Sequence, residues 1–191
     1  QFSRFDLGYD EFLATCKYLR SVSFDFIIES EFLTPMRRLF TERIGKTVVY
    51  IPPVNSRYSF GNKHADVDAV IKAIAGTDEP KLKDEEHPVF RIRSGDKWVR
   101  TVNLVDEERR EEKRAAIIKA HEASGSEDID VIIALGMFKE GANWRWADRE
   151  IIVGQRGSLT EVVQMIGRLF RDAEGKSHVQ VYQLLPFAFD Q

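Results

Sequence analysis

Short apolar, β-branched runs alternating with stretches of helical periodicity constrain this chain more than any other feature. Thr47-Val48-Val49-Tyr50-Ile51 contains no charged residue and is stopped by Pro52-Pro53, so it reads as a strand buried on both faces. Residues 99–105, 129–135, 150–153 and 179–185 read as four further strands. Helical patterns separate them. Thr34-Pro35 opens one carrying Met36, Leu39 and Phe40, and Val67, Val70, Ile71 and Ile74 mark another that ends at Gly76. Residues 106–122 form a highly charged helix with Ala115, Ile117 and Ile118 towards its end, and a further helix starts at Ser158. Strand–helix alternation with almost continuously apolar strands predicts an α/β fold, a mainly parallel sheet covered on both faces. Ligands of such sheets sit at the carboxyl ends of the strands.

The first 45 or so residues read as helical, with residues 1–34 a helical segment or linker and residues 35–191 the α/β domain. Residues 76–98 break the rhythm and read as an insertion: a polar loop, then a hairpin turning at Ser94-Gly95-Asp96-Lys97. Arg91, Arg93 and Arg100 line one face of it, as phosphate contacts or as a solvated basic face.

A chain of 191 residues with 43% hydrophobic and 31% charged residues is sufficient for one well-buried domain. No apolar run approaches the ~20 residues that span a bilayer, so no membrane partner is expected. The net charge of −3 gives no global attraction to nucleic acid, and any such contact has to come from local patches. The single cysteine, Cys16, lies among Phe12, Leu13 and Leu19 and reads as a core thiol in a cytoplasmic protein, nucleoid-associated if bacterial. The start, Gln1-Phe2-Ser3-Arg4, lacks an initiator Met and reads as part of a longer polypeptide.

The chemistry concentrates in Gln164-x-x-Gly167-Arg168-x-x-Arg171, after the helix start Ser158-Leu159-Thr160-Glu161. On a helix advancing about 100° per residue, Gln164, Arg168 and Arg171 fall within roughly 60° of one another. Val162, Ile166, Leu169 and Phe170 lie opposite. Two guanidiniums and an amide on one side suit a polyanion, above all nucleotide phosphates. Gly167 costs about 1 kcal/mol in a helix interior and implies close approach of a backbone or ligand.

Two other motifs fail. Gly45-Lys46-Thr47 imitates the end of a phosphate-binding loop, but Phe40 stands at the required first glycine, and a helix precedes where a strand should. Asp106-Glu107 after residues 102–105 imitates a magnesium-binding strand end, but without a phosphate loop in this chain the pair has no triphosphate to serve, and the acids read as the N-terminal turn of a helix. His64, His87, His121 and His178 lack metal-ligand spacing, so no metal site is expected.

Gln164-x-x-Gly167-Arg168-x-x-Arg171 matches the Gln/His-x-x-Gly-Arg-x-x-Arg motif of superfamily 2 helicases and translocases. The stretch Ala134-Leu135-Gly136-Met137-Phe138-Lys139-Glu140-Gly141-Ala142-Asn143-Trp144 resembles their preceding loop, which ends in Arg or Glu, Gly, any residue, then Asp or Asn. In order and spacing, residues 35–186 resemble the C-terminal RecA-like domain of that superfamily, nearest to the excision-repair and restriction-type members. The resemblance implies a RecA-like three-layer sandwich that supplies one wall of an ATP site. The other wall, with the phosphate loop and the Mg2+ site, belongs to an upstream RecA-like domain of the same polypeptide.

The resemblance also implies residue roles. Arg171 matches the arginine finger that stabilises the transferring phosphoryl group, and Arg168 matches its companion. Gln164 matches the residue linking the nucleotide cleft to the nucleic-acid surface. Gly141 and Asn143 match the nucleotide-sensing loop, and Gly167 lies within the cofactor-binding motif. Lys139, Arg145 and Arg156 are candidates for phosphate contact along a strand of nucleic acid, DNA in preference to RNA, or are plain surface charges. Trp144 and Trp146 stack on a base or serve as packing anchors. Leu135, Gly136 and Asn143 depart from the family's commoner residues. The implied activity is that of an ATP-dependent helicase or translocase, inactive as an isolated segment. A binding scaffold and a self-contained small NTPase using Lys46 and Asp106 remain alternatives.

Overall fold

The computed structural model describes residues 9–122, 129–135 and 144–187. Among the described residues five helices, α1 (Tyr9–Thr15), α2 (Leu33–Glu42), α3 (Lys63–Ala75), α4 (Arg110–Glu122) and α5 (Leu159–Leu169), accompany one sheet. Its strands are β1 (Ser21–Glu29), β2 (Thr47–Ile51), β3 (Leu82–Lys83), β4 (Phe90–Ser94), β5 (Lys97–Asn103), β6 (Val131–Leu135), β7 (Arg149–Val153) and β8 (His178–Pro186). The order across the sheet is β1-β8-β7-β2-β6-β5-β4-β3. From β1 to β5 every pairing is parallel, and β4 and β3 extend that edge antiparallel. None of the described helices is long and apolar enough to cross a membrane.

The period-two geometry of a strand sends alternate residues of β2 to opposite layers. Val49 and Ile51 join Met36, Leu39, Val70 and Ile74 from α2 and α3. Val48 and Tyr50 join Ile117 and Ala120 from α4 and Met165 and Leu169 from α5. Helices therefore cover both faces, which is the α/β sandwich expected, with a core cluster on each side of the sheet. Each wholly buried aliphatic side chain, such as Ile132 or Ile133, contributes about 1.5–3 kcal/mol.

Several local expectations hold for the physical reasons given. Asn62 caps α3 by accepting from the amides of His64 (2.8 Å) and Ala65 (3.1 Å), and Gly76 ends it in the left-handed conformation with φ 72°. The hairpin turns at Gly95, φ 55°, with Ser94 opposite Lys97. Its three arginines share a face, and each meets a carboxylate: Arg91 with Asp84, Arg93 with Asp96 and Arg100 with Asp130.

The N-terminal expectation needs correcting. Of residues 1–34, α1 and the start of α2 are helical, but Ser21–Glu29 is a strand, paired parallel with β8 along its whole length. Ser21-Val22-Ser23-Phe24-Asp25-Phe26 alternates polar with branched or aromatic residues, a period-two pattern for an edge strand. Only Val22 and Ile27 pack against the two core clusters. Phe24, Phe26 and Ile28 stay exposed, so the run lacks the complete burial of β2.

Candidate functional site

Helix α5 follows from its sequence. Ser158 adopts an extended backbone and its hydroxyl accepts from the Glu161 amide at 3.1 Å. Met165 and Leu169 are buried against the sheet, while Ile166 and Phe170 pack partly against the same cluster. The helix stops at Leu169, with Phe170 as its cap. Arg171 therefore stands beyond the helix end, and the single helical face expected for Gln164, Arg168 and Arg171 holds only for the first two. Since β7 and β8 are parallel neighbours, α5 between them runs back against the strand direction. Its end, with Arg171, lies towards the amino ends of the strands, not at the carboxyl-end crevice.

The motif residues differ in exposure. Gln164, Gly167 and Arg171 are exposed. Arg168 is half-buried and helps line a small cavity of about 10 Å³ with Tyr50, Trp144 and Glu150. Glu150 is 1% exposed. Its burial pushes the carboxyl up to about 8, against the opposing fields of Arg156 and Arg168. A Cβ added at Gly167 would meet no atom within 4 Å, so no described part of the chain requires this glycine. Gly167→Ala should then gain about 1 kcal/mol of helix propensity and raise the melting temperature by roughly 2–4 °C. A lower melting temperature in thermal unfolding would reveal a close neighbour within the chain.

Lys139, Gly141 and Asn143 lie outside the described residues. Arg156 corrects its expectation. It is 8% exposed, and its Nη2 faces the carbonyls of Tyr50 (3.2 Å), Ile51 (2.9 Å) and Val153 (3.4 Å). A guanidinium so engaged braces the ends of β2 and β7 and does not face a nucleic acid. Arg145 is half-buried with its guanidinium 4.8 Å from the Trp146 ring centre. Trp144 and Trp146 are both buried in the core beneath α4 and α5, so they are packing anchors.

Two residues of the turn after α5 carry more structure than their sequence suggests. Asp172 accepts from the amides of Lys17 (2.6 Å), Tyr18 (2.9 Å) and Leu19 (2.8 Å). Burial alone raises its pKa, and the amides of Leu19, Tyr18 and Lys17 outweigh that and hold it below the usual range. Lys176, in the polar run Glu174-Gly175-Lys176-Ser177, is 5% exposed. Nothing in such a run distinguishes a buried lysine from a solvated one; only the glycine, at φ 79°, marks the turn.

The rejected nucleotide motifs fall apart in space. Lys46 precedes β2, donates to the Ile129 carbonyl at 2.5 Å and pairs with Asp130 at 3.1 Å. Asp106 follows β5, which runs parallel to β6 and so to β2. The two therefore lie at opposite ends of the sheet, roughly 15 Å apart at 3.3 Å per residue, and cannot grip one nucleotide. A groove of about 1080 Å³ opens at the Lys46 end, but Arg43, Lys46 and Arg100 in its wall are matched by Asp148 and Asp130.

No protein-family model matches the chain. Over 142 residues it is 37% identical to a Bacillus subtilis (strain 168) protein named "Putative ATP-dependent helicase YeeB". That match covers 73% of this chain and 23% of the relative, so the chain spans about a quarter of the relative's length. Over most of its own length, the chain is thus related to one segment of a protein named as an ATP-dependent helicase.

Proposed function

We propose that this chain is the second motor domain of an ATP-dependent nucleic-acid helicase or translocase, working on ATP held mainly by an upstream RecA-like domain. The observation that carries this reading is Arg171, an exposed guanidinium just past the end of α5 with no ion-pair partner among the described residues. The exposed Gln164 amide stands on the same helix. A cation left unpaired on a packed base supports an anionic ligand, and similarity to a helicase-named relative supports ATP as that ligand.

The donor set fits one side of a triphosphate. ATP with Mg2+ supplies the phosphoryl group passed to water. In this reading Arg171 meets the charge that builds on the γ-phosphoryl oxygens, and Arg168 is its companion. Gln164, Gly141 and Asn143 line the cleft, and Gly167 leaves room for the facing domain. Among the described residues no group of three or more His, Cys, Asp or Glu is arranged to hold a metal ion, and the Mg2+ site is assigned to the upstream domain. Lys139 and Arg145 are the proposed contacts to nucleic acid, DNA in preference to RNA. Arg156 leaves that set because its guanidinium is engaged inside the domain.

The test is the purified 191-residue chain. It is expected neither to hydrolyse ATP nor to bind it tightly in a nucleotide-binding assay. Brisk turnover by this chain alone, abolished by Lys46→Ala, would sink the reading in favour of a self-contained NTPase.

A further inference from the structure

An ammonium group is among the costliest groups to bury, and it stays buried only where hydrogen bonds replace its water. Lys176 meets that condition with three carbonyl oxygens: Leu169 at 2.6 Å, Arg171 at 2.8 Å and Arg145 at 2.9 Å. Three donors are matched with three acceptors. The first acceptor is a terminal carbonyl of α5, one of the orphan groups that a cation at a helix C-terminus satisfies. A simple helix cap would stop there. The second belongs to Arg171 itself. The third comes from the segment entering β7, whose neighbouring Trp144 and Trp146 are buried in the core. One side chain thus ties the end of α5, the backbone of Arg171 and the segment after β6 to a single point.

We propose that Lys176 is a positioning residue for Arg171, fixing its backbone so that the exposed guanidinium projects from a rigid base. This inference rests on the reading of Arg171 as the residue that meets the γ-phosphate. The next residue reinforces it, because Asp172 is held by the amides of Lys17, Tyr18 and Leu19. The backbone is gripped at 171 and again through the side chain at 172, while the Arg171 side chain remains outside. Burial draws the Lys176 ammonium down to about 8, with Asp148 and Asp172 opposing that shift and Arg171 adding to it. The site therefore tolerates a costly charge in order to hold these three carbonyls. A displacement of about 1 Å at a group facing a transition state can cost 10²-fold in rate.

The experiment uses the intact polypeptide containing the upstream domain, with steady-state ATP turnover and thermal unfolding measured on each variant. Lys176→Met is expected to lower kcat by about 10- to 100-fold with KM for ATP within about twofold. Adding it to Arg171→Ala should slow turnover no further, because a positioning residue has nothing left to position. A wild-type kcat in folded Lys176→Met, or effects that multiply in the double variant, overturns the inference. If the methionine variant does not fold, Lys176→Arg takes its place. Its planar fork keeps the charge but cannot meet three convergent carbonyls, so lowered kcat at an unchanged melting temperature supports the inference and wild-type kcat overturns it. Crippled Arg171→Ala beside unaffected Lys176 variants sinks this inference alone. Wild-type turnover in Arg171→Ala sinks the arginine-finger reading and this inference with it.

Discussion

Arg171→Ala in the intact polypeptide is expected to slow ATP turnover by about 10³-fold or more, while the melting temperature stays within a degree or two of wild type. The two halves of this expectation have one cause. The Arg171 side chain is exposed and has no ion-pair partner among the described residues, so its removal costs the fold almost nothing. Its proposed work arises only when charge spreads onto the transferring phosphoryl group, where a fixed guanidinium in a closed cleft is worth several kcal/mol. Arg171→Lys should recover little of the loss, because an ammonium on a flexible stem does not reproduce the planar fork. Steady-state turnover at saturating nucleic acid, with unfolding followed alongside, reads both quantities. Unchanged turnover would turn the assignment towards a binding scaffold.

Glu150→Gln should stabilise the domain at pH 8 and leave it nearly unchanged near pH 4.5. The carboxyl of Glu150 is held at about 8 in the folded chain, against an ordinary value of 4.5, chiefly by desolvation. Between those values the folded state keeps a proton that the unfolded chain has released. Wild-type stability therefore falls as pH rises from 4.5 towards 8 and levels off beyond. Glutamine matches the shape and does not titrate, so the difference between the two proteins should open across that window to on the order of 4 kcal/mol. Urea midpoints for both proteins at pH 5 and pH 8 give the answer. Lys176, whose shift acts above pH 8, is common to both and drops out of the difference. A difference that does not change with pH would mean that Glu150 is charged throughout.

How much was legible in the sequence depended on whether a residue's surroundings were local. Val48 to Ile51 and Val131 to Ala134 are buried between helices on both faces, so none of these positions is charged and the strands stand out. Ser21 to Glu29 pairs along one edge only and keeps Phe24, Phe26 and Ile28 exposed, so its alternation does not announce a strand of a buried sheet. The motif at Gln164 to Arg171 was legible by spacing, but its geometry was not. The helix ends at Leu169, and Lys176 and Asp172 hold the following turn to other segments, which no residue between Ser158 and Arg171 records. The burial of Arg156 is hidden in the sequence for a related reason. An arginine following Gly154-Gln155 looks solvated until the carbonyls of Tyr50 and Ile51, more than a hundred residues earlier, fold over it. The buried acid at Glu150, the second residue of β7, has the polar look of a strand end, and it lines a small cavity with Tyr50 and Arg168 from distant parts of the chain.

The stitch between Asp172 and the amides of Lys17, Tyr18 and Leu19 has a mechanical meaning. It joins the backbone leading into β1 to the residue next to Arg171 in the chain. Leu19, anchored in the core, stops the slack on one side, and Lys176 stops it on the other. The stretch from Lys17 to Leu19 is therefore fixed twice, by the Asp172 carboxylate and by the core. Helix α1 is held at the same place, with the Phe12 ring 6.1 Å from that of Phe170 and Leu13 packed on the core, so the segment before β1 and the turn bearing Arg171 are built as one unit.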